Sequence, residues 1–242
     1  PYTSGLDFEY DCLIHCGADT TATTNNENDF INSNVMGSKK IFESAIKNGA
    51  KTIVNLSSMS IYGDIKTNYL KECNESINPD NYGVSKLEAE TILAQLMKKN
   101  KSINAVSIRL PGVVGRGSHN NFLSRLLFDI IFEKDIIIKN PNPSDLFNNL
   151  IHVKDLSEYI NFFVNADINE YRPVNIAASC PIPLSMVIQE IFNHIGKPNT
   201  AKFIRGGKKS FQISIDNITK QGFNLRSTQE MLESFVTDII KE

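Results

Sequence analysis

The chain has 242 residues, 41% of them hydrophobic and 21% charged, with a formal net charge of -2. That length can bury one large domain or a domain with a smaller lobe. The charge balance leaves no basic field for a nucleic-acid partner, and no apolar run reaches the roughly 20 residues that span a bilayer. A cytoplasmic protein without a membrane partner is expected. The four cysteines, Cys12, Cys16, Cys73 and Cys180, form no Cys-x-x-Cys pair and the four histidines are scattered, so reduced thiols and no metal site are expected. The chain opens on Pro1 and soon reaches a buried-strand pattern. It reads as part of a longer protein.

The run from Asp11 to His15 predicts a buried strand closed at Gly17. Over 28–47, Phe30, Ile31, Val35, Ile41, Phe42, Ala45 and Ile46 form a helical stripe, and Asn48-Gly49 ends it. Residues 51–56 predict a second buried strand. Residues 82–99 predict a helix with Val84, Leu87, Ile92, Leu93, Leu96 and Met97 on one side. Residues 104–110 predict a third strand, stopped by Pro111-Gly112. Strand alternating with helix signals a parallel sheet covered on both faces. Its crossovers gather the loops after the strands, and hence ligands, at the carboxyl edge. Beyond residue 118 the pattern becomes a helix (121–133), a strand (135–139), a polar loop (140–149), a helix (153–164), a strand near Val174 and a helix (184–195). The fold class is α/β. A partial doubly wound parallel sheet is expected over 1–117, with a smaller C-terminal α/β substrate lobe over 118–242. Some segments of that lobe return to the sheet.

Chemistry concentrates in Tyr82-Gly83-Val84-Ser85-Lys86. Residues four apart share a helix face. An ammonium beside a phenol favours the phenolate, which can act as a base near neutral pH. Upstream, the strand ending in Leu56-Ser57-Ser58 places serines at the carboxyl edge. Such a hydroxyl can donate to a substrate oxygen, although serines in turns are common.

In this order, the segments resemble the extended short-chain dehydrogenase/reductases, the NAD-dependent epimerase/dehydratase family. Residues 11–18 (Asp-Cys-Leu-Ile-His-Cys-Gly-Ala) resemble its fourth strand and cofactor turn. Asn34 to Ser38 resembles its helix asparagine motif, and residues 54–63 its serine strand. Tyr82 to Lys86 resembles the catalytic helix, and residues 109–117 the strand and loop beside the nicotinamide. Residues 150–156 and Val174 to Ala177 resemble later motifs. The resemblance implies a Rossmann-type sheet, NAD as cofactor with NADP possible, and Ser58, Tyr82 and Lys86 as the catalytic set. Tyr82 would take a proton from a sugar hydroxyl as hydride passes to NAD. Lys86 would lower the Tyr82 pKa and hold the nicotinamide ribose. Cys16, Gly17, Ala18, Ser57, Tyr82, Lys86, Pro111 and Val113 would line the cofactor. Ser58, Met59, Ser60, Gly112, Asn121, Phe122 and Arg205 would meet the substrate. Asn121 with Phe122 resembles a diphosphate-contacting pair, and Arg205 a phosphate-binding arginine.

The resemblance also shows departures. The family's Gly-rich pyrophosphate loop has no counterpart before Asp11. The Asp-Glu pair of the family's dehydratases is Met59-Ser60 here, which cannot shuttle protons, so dehydration is not expected. The cysteine of the fucose-synthase type is missing near Ser58. An arginine expected before His152 is Asn148. Nucleotide-sugar epimerisation is therefore expected on a UDP-sugar-like substrate. A 4-ketoreductase and an inactive cofactor-binding relative are the alternatives. A homodimer through a four-helix bundle is implied, built from the helices at 28–47 and 82–99.

Overall fold

The computed structural model describes residues 9–24, 26–166, 168 and 171–241. The chain divides into two compact units. One takes the chain up to Ile65, Glu72–Leu110 and Ile160–Asn175; the other takes Lys66–Lys71, Pro111–Tyr159 and Ile176 onward.

The first unit is built on a four-stranded parallel sheet in the order Cys12–His15, Thr52–Ser58, Asn104–Leu110, Arg172–Asn175. Ile53 sits between Leu13 and Ala105, and Ile108 between Leu56 and Val174. Both inner strands are buried along nearly their whole length, which is what continuous apolar runs require when both faces are covered. Ile53 and Ala105 join Phe42, Ala45, Ala50, Leu93 and Met97 in one core cluster. The parallel-sheet expectation thus holds. The serine strand runs two residues further than its apolar run, so Ser58 is its last residue.

Two expectations change here. The Cys12 strand lies at the edge of the described sheet. Ile14 is 46% exposed, so this strand is not covered on both faces, and Cys16 falls beyond its end. The stripe over 28–47 forms three consecutive pieces: Glu27–Asp29, a π-helical segment Phe30–Gly37, and Ser38–Lys47. The widened turns carry Asn34, whose buried amide donates to the Asp19 carbonyl and the Ser85 hydroxyl and accepts from the Asp19 N–H. A π-bulge often marks a functional position; apolar spacing alone does not reveal one.

The second unit is assembled from helices Phe122–Ile131, Leu184–Ile195 and Thr228–Ile240 and from two-stranded pairs. Ile137–Lys139 runs parallel to Lys202–Ile204, and Gly112–Val114 runs parallel to Leu150–His152. Leu184–Ile195 packs on Thr228–Ile240, burying Val187, Ile188, Ile191, Met231, Leu232, Phe235 and Val236. Each such side chain contributes about 1.5–3 kcal/mol. The last helix starts from a capping box: Ser227 accepts from the Glu230 N–H, and Glu230 accepts from the Ser227 N–H.

Candidate active site

Ser58 ends its strand and caps the 3-10 turn Met59–Tyr62, its hydroxyl accepting from the Ser60 N–H at 3.1 Å. The chain leaves this turn at Gly63, whose φ of 61° belongs to the left-handed region. The helix Asn81–Lys99 starts at Asp80, whose carboxylate accepts from the Gly83 N–H at 2.7 Å. Its first turn then lies directly on the Met59–Tyr62 turn. A Cβ at Gly83 would sit 2.2 Å from the Ser60 carbonyl oxygen. Only a glycine allows that approach, and the approach sets Tyr82 near enough to Ser58 for the serine hydroxyl to favour the phenolate.

The electrostatics differ from expectation. Lys86 does not lower Tyr82. Burial pushes the phenol above its usual value; the Ser58 hydroxyl opposes this and the Asp80 charge adds to it. Lys86 is itself only 3% exposed. Burial draws its ammonium down to about 8, against the charges of Glu90 and Cys16. Next to it, His15 is lowered to about 4, first by burial and then by Lys86. The His15 ring meets Ser38 at 2.9 Å.

Among the described residues the Lys86 ammonium has no hydrogen-bond or ion-pair partner. A buried cation is costly unless something pairs with it. Its donors therefore fit the hydroxyls of a bound ribose. Cys16 and Gly17 are exposed, and Ala18 follows them half-buried at the same strand end. Ser57 points elsewhere: its buried hydroxyl donates to Glu90.

In the second unit, Asn121 caps Phe122–Ile131, accepting from the Ser124 N–H at 2.9 Å, and its amide donates to the Val113 carbonyl at 2.9 Å. Gly112 lies beside it, 3.6 Å from the Asn121 Cβ to a Cβ placed there. The Asn121 side chain is thus already committed within the protein. Phe122 is no core residue. Its ring faces Phe147 at 6.3 Å and lines a cavity of about 260 Å³ with Arg125, Leu126, Asp129, Asp135 and Ile136–Ile138. Arg205 is exposed just past Lys202–Ile204. His152 is buried and bonds Asp238 at 3.1 Å.

Sequence reading missed Gly83 as a contact point, Arg125, Asp129 and Asp135 as cavity walls, and Glu90 beneath Lys86. Glu90 had a signal: it stands four after Lys86 and eight after Tyr82, on the same helix face. Among the described residues no group of three or more His, Cys, Asp and Glu is placed to hold a metal ion, and no helix is long and apolar enough to cross a membrane.

A parallel sheet with a serine and a tyrosine brought together at its carboxyl edge, and a buried lysine one turn on, defines a Rossmann-type class. Residues 5–177 match the model of the NAD dependent epimerase/dehydratase family, and the chain belongs to that family. It is similar over 201 residues, at 24% identity, to an uncharacterized protein of Methanocaldococcus jannaschii, covering 82% of this chain and 61% of that one. It is 26% identical over 167 residues to the N-acetyl-alpha-D-glucosaminyl-diphospho-ditrans,octacis-undecaprenol 4-epimerase of Escherichia coli, covering 69% of this chain and 44% of that one. The chain therefore spans less than two thirds of the length of these curated relatives. Among solved structures it is similar to a UDP-glucuronic acid 4-epimerase from Bacillus cereus in complex with NAD. That match has a TM-score of 0.78 and 20% identity, over 96% of this chain and 74% of that one. A UDP-N-acetylglucosamine 4-epimerase from Methanobrevibacter ruminantium matches with a TM-score of 0.80 and 18% identity, over 96% and 77%.

Proposed function

We propose that the protein is an NAD-dependent nucleotide-sugar 4-epimerase in which Ser58, Tyr82 and Lys86 form the catalytic set. The observation that carries this reading is the Ser58–Tyr82 hydroxyl pair with the unpartnered Lys86 ammonium one turn away. When bound, NAD would take a hydride from a sugar carbon and return it to the other face. Tyr82 takes the proton of the hydroxyl on that carbon and gives it back. Ser58 donates to the same oxygen and, through the Ser60 N–H, keeps its own orientation. Lys86 holds the ribose. Cys16, Gly17 and Ala18, at the end of the Cys12 strand, line the cofactor. Met59 and Ser60, next to Ser58, meet the substrate. Met59 and Ser60 offer no acid–base pair for water loss, and three of the relatives above are 4-epimerases; both support epimerisation over dehydration.

Exposed Ile31 and Met36 on the π-helical segment and Val84 on the tyrosine helix support a homodimer through those helices. Four free cysteines support a reducing, cytoplasmic setting. The test is to supply the full-length protein with NAD and a panel of UDP-sugars and follow 4-epimer interconversion by NMR. Interconversion without net NADH change is the expected result. Net NADH consumption with a 4-keto sugar would make the protein a ketoreductase. Cofactor binding with no turnover of any diphosphate sugar would sink the enzyme reading.

A further inference from the structure

Below Lys86 lies a second buried charge that the proposed chemistry does not use. Glu90 sits one turn further along the helix Asn81–Lys99, with its side chain 5% exposed. Its carboxylate accepts from the Ser57 hydroxyl. It also accepts from Arg109 through Nε at 3.1 and 3.3 Å and through Nη2 at 2.8 Å. Arg109 in turn donates through Nη1 to the Tyr62 hydroxyl at 2.7 Å and the Glu72 carbonyl at 3.0 Å. One carboxylate thus ties together three elements: the strand ending in Ser58, the helix carrying Tyr82 and Lys86, and the strand Asn104–Leu110. The other titratable groups around Lys86 are His15 and Cys16, at the end of the Cys12 strand. His15 is held neutral and Cys16 is a thiol, so Glu90 is the negative charge facing the ammonium.

We propose that Glu90 is a positioning residue for the Ser58–Tyr82–Lys86 set: clamped by Arg109 and Ser57, its carboxylate keeps the buried Lys86 charged and fixes the serine strand against the tyrosine helix. The inference rests on the catalytic reading of those three residues. A buried ion pair of this kind contributes little stability over an apolar pair of equal volume. Its consequence lies in the field at Lys86 and in register: an apolar pair would leave the ammonium with no counter-charge and leave Ser57 without its acceptor.

The test compares Glu90→Gln with the full-length wild-type protein in two readouts. The first is turnover of UDP-sugars. There kcat should fall about 10-fold or more with KM little changed, and the alkaline limb of the pH profile should move down by about one unit, since one unit matches a tenfold change. The second needs no turnover: the titration of Lys86 followed by NMR on 13C-lysine-labelled protein, its resonance assigned by its loss in Lys86→Arg. The Lys86 midpoint should fall by about one unit in Glu90→Gln. An unchanged midpoint and pH profile, with only a lower Tm, would overturn the proposal and make Glu90 purely structural. If Glu90→Gln does not fold, Glu90→Asp keeps the charge but shortens the reach; it should hold the Lys86 midpoint near wild type and still lower kcat, and an unchanged kcat would overturn the tie. Failure of the catalytic reading looks different: Tyr82→Phe would turn over like wild type, whatever the Lys86 titration shows.

Discussion

The two units differ in the charge they bury and the aromatic surface they expose. The first hides charge: Lys86, Glu90, Arg109 and His15 are all inside, each neutralised, paired or left to a ligand. The second also buries His152 and Asp155, but it carries the exposed large aromatic side chains. Phe132 is 69% and Ile137 56% exposed, and of its candidate substrate residues Phe122 and Arg205 lie at the surface. The first unit's long parallel strands are covered on both faces and enclose its polar groups; in the second unit the interior lies mainly between helices. The difference predicts reactivity and pH sensitivity in the first unit and tolerance in the second.

Tyr82→Phe is the largest expected effect. It removes the proton carrier, and kcat should fall about 10³-fold. In the second unit, Arg205→Ala should mainly raise KM, by about 10-fold, with kcat less affected. Steady-state kinetics on the active UDP-sugar measure both. Equal losses in kcat from the two changes would erase the contrast.

Gly83→Ala should follow. Its new Cβ would meet the Ser60 carbonyl at 2.2 Å, and that atom is backbone, so the helix must shift. A loss of about 3 kcal/mol in urea unfolding is expected, along with loss of the Ser58–Tyr82 approach. Gly222→Ala, in the second unit, has a φ of 89° but open space around it. It should cost about 1 kcal/mol. A Gly83 variant as mild as this one would mean the two turns are not in close contact.

The pH dependence of stability should come chiefly from the first unit. His15 falls from 6.5 to about 4 on folding. Below 6.5 the unfolded chain binds a proton that the folded one refuses, so stability is full above 6.5 and is lost as pH falls through about 4. That loss is worth about 3 kcal/mol. Lys86 obeys the same sign at the other end. Between about 8 and 10.5 the folded protein has released a proton that the unfolded chain still holds, so stability rises with pH across that window. Urea unfolding of wild type against His15→Gln and Lys86→Met, from pH 4 to 10, checks both. An acid limb that survives His15→Gln would place the titrating group elsewhere.

The first unit was largely legible from sequence because its strands are unbroken apolar runs and its helix stripe is regular. What stayed hidden there was tertiary. The π-helical segment exists because Asn34 reaches both Asp19 and Ser85, and the raised Tyr82 pKa follows from burial that spacing does not report. In the second unit the strands are two or three residues long, too short for any period to show. The helix Thr228–Ile240 was a different failure. Ser227, Glu230 and the stripe Met231, Leu232, Phe235, Val236 and Ile239 spell out a capped amphipathic helix, although none was among the predicted elements. Asn121 was legible as a cap and Phe122 was not, since nothing in sequence separates a core phenylalanine from one lining a cavity.

The smallest expected effect tests the open surface itself. Phe132 stacks on Phe128 at 6.5 Å and remains the most exposed of the large apolar side chains. In the isolated chain, Phe132→Ser removes little buried area, so stability should change by no more than about 0.5 kcal/mol. Phe235, fully buried in the same unit, sets the scale: Phe235→Ala should cost about 3–5 kcal/mol. A loss above about 1 kcal/mol for Phe132→Ser would show that water does not see this ring in solution. The cover would then be a partner surface, and a loss that grew with protein concentration would identify a second copy of the chain, because mass action links stability to whatever binds only the folded state.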